Sequence, residues 1–172
     1  MDLDAERAVL GAVLLHPPAL FEACELIEAS DFYLDAHRVI FASMLRLRAS
    51  ETPIDTLTVK TELQQADQLE NAGGVAYLTS LTDGVPRATN VRHYAAFVRE
   101  QALRRRIGQI AQELSARVSQ GEDTAQEMID RAQLELLRLT EKGKHRGGWL
   151  KVEELVVGAY REMEDLSTRR AE

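Results

Sequence analysis

The residues able to do chemistry in this chain are its four histidines, its single cysteine and its 28 aspartates and glutamates. Only one Gly-Lys pair occurs, Gly143-Lys144. A phosphate-cradling loop needs a glycine five positions before Gly143, where Arg138 stands, and a hydroxyl after the lysine, where His145 stands. Gly73-Gly74 precede a short helix but follow no strand, so they do not open a dinucleotide site. No Gly-x-Ser-x-Gly elbow is present. His37 has no second histidine or cysteine at metal-ligand spacing, so it reads as a packing or hydrogen-bonding residue. Cys24 lies on an apolar helical face and reads as core. The carboxylates fall on the polar faces of helices and read as solvated surface. Arg99, Arg104, Arg105 and Arg106 cluster within eight positions. Glu100 stands one helical turn before Arg104, so the cluster reads as a solvated band with ion pairs; its rival reading is a face for an acidic partner or phosphate. Catalytic, cofactor and metal residues are therefore none.

The formal charge of −7 argues against a broad duplex-binding footprint, which needs a clustered basic face. One cysteine excludes an intrachain disulfide and suits a reducing cytoplasm. Asp2, Asp4 and Glu6 stand where a secretory signal would be basic. No apolar run reaches the roughly 20 residues of a membrane span.

The elements that hold these residues are helices throughout, and the fold is expected to be all-α. The longest stretch, Thr89–Val118, has apolar residues at steps of three and four from Val91 to Val118, with Gly108 inside it costing about 1 kcal/mol against alanine. Gly121 suits a left-handed helix cap, and Thr124 with Glu127 forms a capping box for a helix running to about Glu141. The short connection makes the two an antiparallel hairpin. Before it, helices are expected at Asp4–Leu15 (N-cap Asp4), after Pro17-Pro18, from Asp35 as cap to about Ala49, at Thr56–Ala66 behind Asp55, and at Val75–Leu81. Phe32 and Tyr33 are expected to plug the helix ends between the second and third. Residues 1–88 form a globular head and 89–141 the hairpin. Residues 142–150 form a glycine-rich basic linker, and 151–172 an amphipathic helix with the stripe Val152, Leu155, Val156, Ala159, Met163 and Leu166. Leu103 and Ile107 on one hairpin helix, and Leu134 and Leu137 on the other, widen the apolar faces beyond what two helices can bury. Self-association through them is the natural solution.

The order of short segments resembles the start of bacterial replicative DNA helicases of the DnaB family. The segments are Ala5-Glu6-Arg7-Ala8-Val9-Leu10-Gly11, Asp31-Phe32-Tyr33, Ala36-His37-Arg38-Val39-Ile40-Phe41 and Pro53-Ile54-Asp55. They continue with Leu69 to Leu78, Val85 to Val91, and Tyr94-Ala95. Together they cover roughly residues 4–112.

That resemblance implies an N-terminal domain that assembles as dimers, three to a ring, over a ring of ATP-driven motors. It implies three further partners: the C-terminal domain of primase, a helicase loader, and a neighbouring subunit's motor, which the 151–172 helix would dock. Tyr77, from a matched segment, and Ile110 and Leu114, by helical position, are the expected primase face. The sequence stops at Glu172, where the motor would begin. ATP and Mg²⁺ are therefore expected only in that motor, and no direct nucleic-acid contact is expected here. The alternative is a stand-alone helical adaptor or regulator of a helicase.

Overall fold

A computed structural model describes residues 3–83, 90–121 and 123–144, with side chains described through residue 139. Seven α-helices and one 3₁₀ turn make up the described residues, with no strand among them, as the apolar periodicity requires. They are α1 (Leu3–Leu15), α2 (Ala19–Cys24), the 3₁₀ turn Ala29–Asp31, α3 (Asp35–Ala49), α4 (Thr56–Gln65), α5 (Gly74–Ser80), α6 (Val91–Gln120) and α7 (Ala125–Lys144).

Helix α1 is the axis of the head. The sequence suggests one apolar face, Val9, Leu10, Val13 and Leu14. In the structure nine of its 13 residues are buried, because α2, α3 and α6 all pack around it. A helix that is apolar or small on every side is one surrounded by protein. Phe32 is buried against Phe41, with ring centroids 5.0 Å apart, and Met44, Leu63 and Leu78 extend the core toward α4 and α5. Cys24 is half-buried against this core, as its place on an apolar face implies. Of the two aromatics expected to plug the helix ends, only Phe32 does so; Tyr33 is 42% exposed.

Several expected caps differ. Helix α1 is already helical at Leu3, so Asp4 lies inside the first turn. The cap of α3 is Leu34 without a side-chain bond; Asp35 is the first helical residue and pairs with Arg38 at 2.6 Å. Asp55 does cap α4, accepting from the Thr58 N–H at 2.8 Å while Thr58 returns a bond to the Asp55 N–H. Thr124 and Glu127 form the expected box at α7, with Glu127 accepting from the Thr124 N–H at 2.8 Å. Those bonds to Thr124 hold the Glu127 carboxyl below its ordinary pKa.

Gly73 enters α5 at φ +89°, and a Cβ there would lie 2.9 Å from the Tyr77 ring. Gly74 also has positive φ, but open space surrounds it. Gly73→Ala is therefore expected to cost about 2–3 kcal/mol, backbone strain plus a displaced Tyr77, against roughly 1 for Gly74→Ala. Urea denaturation of the two variants, followed by far-UV circular dichroism, measures the difference.

Helix α6 serves two units. Val91, Ala95, Val98 and Ala102 are buried in the head, and nothing beyond Ala102 on this helix is buried. The remaining turns pair with α7 behind Gly121, which takes φ +68° as the left-handed cap. Helix α7 continues to Lys144, three residues into the stretch read as linker. The rest of that linker, and the 151–172 helix with its stripe from Val152 to Leu166, lie outside the described residues.

Candidate interaction surface and its seat on the head

Three groups of side chains stand out beyond ordinary packing. One lies wholly inside the head. Glu6 on α1 is 4% exposed and His37 on α3 is fully buried. The Glu6 carboxylate accepts from His37 Nδ1 at 2.6 Å, from the Tyr33 N–H at 2.6 Å and from the Leu34 N–H at 3.5 Å. Glu6 thus holds the two backbone N–H groups that lead into α3. With Nδ1–H donating to the carboxylate, Nε2 is left as acceptor for the Tyr77 hydroxyl, 2.6 Å away. The histidine and tyrosine rings stack nearly parallel at 5.9 Å. Carboxylate, imidazole and hydroxyl have the order of an acid–base relay, but no reactant reaches a fully buried imidazole. Its work is to tie α1, α3 and α5 together. Glu6 is therefore not the solvated surface carboxylate that its type suggests: α1 is enclosed by α2, α3 and α6, and Glu6 lies on a buried side of it.

Burial pushes the Tyr77 phenol above its ordinary value of 10.0, with Arg7 opposing and Glu6 reinforcing. A raised folded pKa favours the protonated phenol. Its contribution to stability is whole below the unfolded value and is lost as pH climbs from near 10.0 through the folded value. Stability is thus expected to fall above pH 10, and Tyr77→Phe should flatten that part of the alkaline limb. Urea midpoints at a series of alkaline pH values report it.

The second group fastens α6 to the head. Arg99 donates to the Leu26 carbonyl at 2.7 Å, and Arg105 donates to the Asp31 carbonyl while its guanidinium lies 5.5 Å from the Tyr33 ring centre. Arg106 reaches Asp31 Oδ1 at 2.8 Å, Ser30 Oγ at 3.0 Å and Glu28 Oε1 at 3.2 Å. Asp31 is itself buried and accepts the Glu28 N–H at 2.8 Å. The arginine cluster is therefore not the solvated band expected from its spacing. Three of its four members clasp the 3₁₀ turn and its flanks, and Arg104 alone is left exposed, paired to Glu100 at 2.8 Å. Asp31, likewise taken as surface, is the buried anion that this clasp neutralises. Removing one partner of a largely buried ion pair costs far more than removing an exposed one. Arg106→Ala is expected to lower stability by about 2–3 kcal/mol and Arg104→Ala by less than about 0.5. Equilibrium unfolding of both variants decides.

The third group is the hairpin. Ile110 and Leu114 are half-buried in the seam with α7, beside Glu113, Arg131, Ala132 and Glu135, the antiparallel register the short turn demands. Arg117 joins the two helices at the turn through Asp123 at 2.8 Å. Tyr77 belongs instead to the buried network, so the structure gives the three residues expected at the primase face two different settings. Leu103 is half-buried. Ile107, Leu134 and Leu137 are 51%, 48% and 53% exposed, and Val118, Ile129 and Leu136 are exposed as well. Six large apolar side chains about half in water on two helices are more apolar surface than soluble proteins usually leave bare. Among the described residues, no group of three or more His, Cys, Asp or Glu is placed to share a metal ion. None of the described helices is long and apolar enough to cross a membrane.

Comparison with known proteins adds three findings. A profile of the DnaB-like helicase N terminal domain matches residues 1–100. The replicative DNA helicase DnaB of Geobacillus stearothermophilus is 38% identical over 170 residues, and the replicative DNA helicase DnaC of Bacillus subtilis 32% over 171. In each case 99% of this chain aligns but only 37% of the relative, so the chain spans little more than a third of their length. Among solved structures, the N-terminal domain of DnaB helicase from Mycobacterium tuberculosis superposes with a TM-score of 0.75 at 36% identity, covering 80% of this chain and 97% of that one. A DnaB-like replicative helicase whose interactions with primase were described superposes at 0.63 and 26% identity, covering 93% of this chain and 34% of that one.

Proposed function

The chain belongs to the DnaB-like helicase N-terminal domain family, and from that premise we propose that it is the assembly scaffold and primase-docking domain of a replicative helicase. The observation that carries this is the number of half-exposed apolar side chains on α6 and α7, beyond the part of α6 that the head buries. A surface of that kind is stable in water only when covered. Sister copies cover it, through Ile107, Leu134 and Leu137 with Leu103 at the margin, as dimers that build a ring. Primase binds by its C-terminal domain, with Ile110, Leu114 and Tyr77 assigned to its face. The relative described with primase supports this half of the reading.

In the same reading, unwinding and ATP hydrolysis, with ATP and Mg²⁺, belong to a motor domain of the kind the longer relatives have room for. The 151–172 stretch is assigned to a neighbouring motor, and a loader protein meets the assembled ring. The test is gel filtration of this chain with a bacterial primase C-terminal domain at tens of micromolar. Co-elution is expected; separate elution at that concentration overturns the docking half and leaves the scaffold half to the assembly measurement.

A further inference from the structure

Gly108 has no role in anything described so far. It stands inside α6, where a glycine costs about 1 kcal/mol relative to alanine. Close packing does not require it, since a Cβ there would meet no atom within 4 Å. The backbone does not require it either, because α6 is continuous and right-handed through this position. Its location is informative. Arg106 is the last α6 side chain fastened to the 3₁₀ turn, and Ile110 is the first of the pair set in the seam with α7. Between them Ile107, Gly108 and Gln109 are exposed, and none makes a side-chain hydrogen bond or ion pair. Nearly one full turn of the helix therefore has no polar support from either unit, and its middle residue has the softest backbone available.

We propose that Gly108 is a hinge about which the hairpin bends relative to the head. The clasp of Arg99, Arg105 and Arg106 fixes the near side. The seam with α7 stiffens the far side, and bending energy concentrates in the turn between them. From Gly108 to Gln120 the helix extends about 18 Å, so a bend of about 20° carries the tip through roughly 6 Å. A joint of this kind lets one hairpin surface meet a partner while heads take different angles. The inference does not depend on which partner that is.

The test is the distance between spin labels at Glu22→Cys on α2 and Gln120→Cys at the hairpin tip, in a Cys24→Ala background. Labelled chain is diluted in excess unlabelled chain so that only intramolecular distances are read. A broad distribution is expected, several ångströms wide, narrowing by about half in Gly108→Ala. Equal widths in the two proteins overturn the hinge. So does an unchanged width accompanied by weaker self-association of Gly108→Ala, which would make Gly108 a point of close approach between copies.

Discussion

Glu6→Ala is expected to lower the free energy of unfolding by about 3–5 kcal/mol, because three donors lose their acceptor at once and each buried donor left unsatisfied costs about 1–3 kcal/mol. The substitution deletes little apolar volume, so the loss is electrostatic and hydrogen-bonding in origin. It leaves His37 Nδ1, fully buried, and the partly buried Tyr33 and Leu34 N–H groups without their acceptor. Glu6→Gln, which keeps an acceptor oxygen but loses the charge, should lose only about 1–2 kcal/mol. The ordering of the two variants is the diagnostic part. If alanine and glutamine destabilise equally, the carboxylate serves as space-filler and the network account fails. Urea unfolding near neutral pH, followed by circular dichroism, provides the comparison.

The second large effect is on assembly. Ile107 and Leu134 are each about half in water in the single chain. Covering the remaining half of such a side chain contributes about 1 kcal/mol, and a glutamate in its place must be desolvated against apolar neighbours at further cost. The double substitution Ile107→Glu/Leu134→Glu is expected to weaken self-association by more than about 100-fold, which corresponds to roughly 3 kcal/mol. The stability of the single chain should move by no more than about 0.5 kcal/mol, because exposed positions away from caps and cores tolerate substitution. Loss of fold in the double variant would show that the two positions support the hairpin itself rather than a contact between copies.

Local signals made most of the helices legible. Steps of three and four, the Asp55 and Thr124 caps and the Gly121 stop survive into the structure because each depends on residues within one turn of one another. What the sequence hid is tertiary. Glu6 and Asp31 look like any surface carboxylate, since nothing local says that α1 is enclosed by three helices or that Arg106, 75 positions later, will cover Asp31. Arg105 and Arg106 look like a solvated band for the same reason: an i,i+4 partner is visible in sequence and a partner across the fold is not. One signal was available. From Ala8 to Leu15 the helix is small or apolar throughout, which leaves Glu6 little polar face to occupy, and a buried acid demands donors. Asp35 shows the converse: a residue of capping type at a helix start that lies one position inside the helix and pairs with Arg38 instead. The hairpin's leftover apolar surface was legible because it is excess by count and needs no knowledge of contacts.

On the proposed reading, copies of the same chain cover this apolar surface. Sedimentation velocity over a concentration range from low micromolar to hundreds of micromolar tests it most directly. The sedimentation coefficient is expected to rise with concentration to at least that of a dimer, and an Ile107→Glu/Leu134→Glu variant to stay monomeric throughout. A wild-type chain that sediments as one compact monomer at every concentration contradicts that reading.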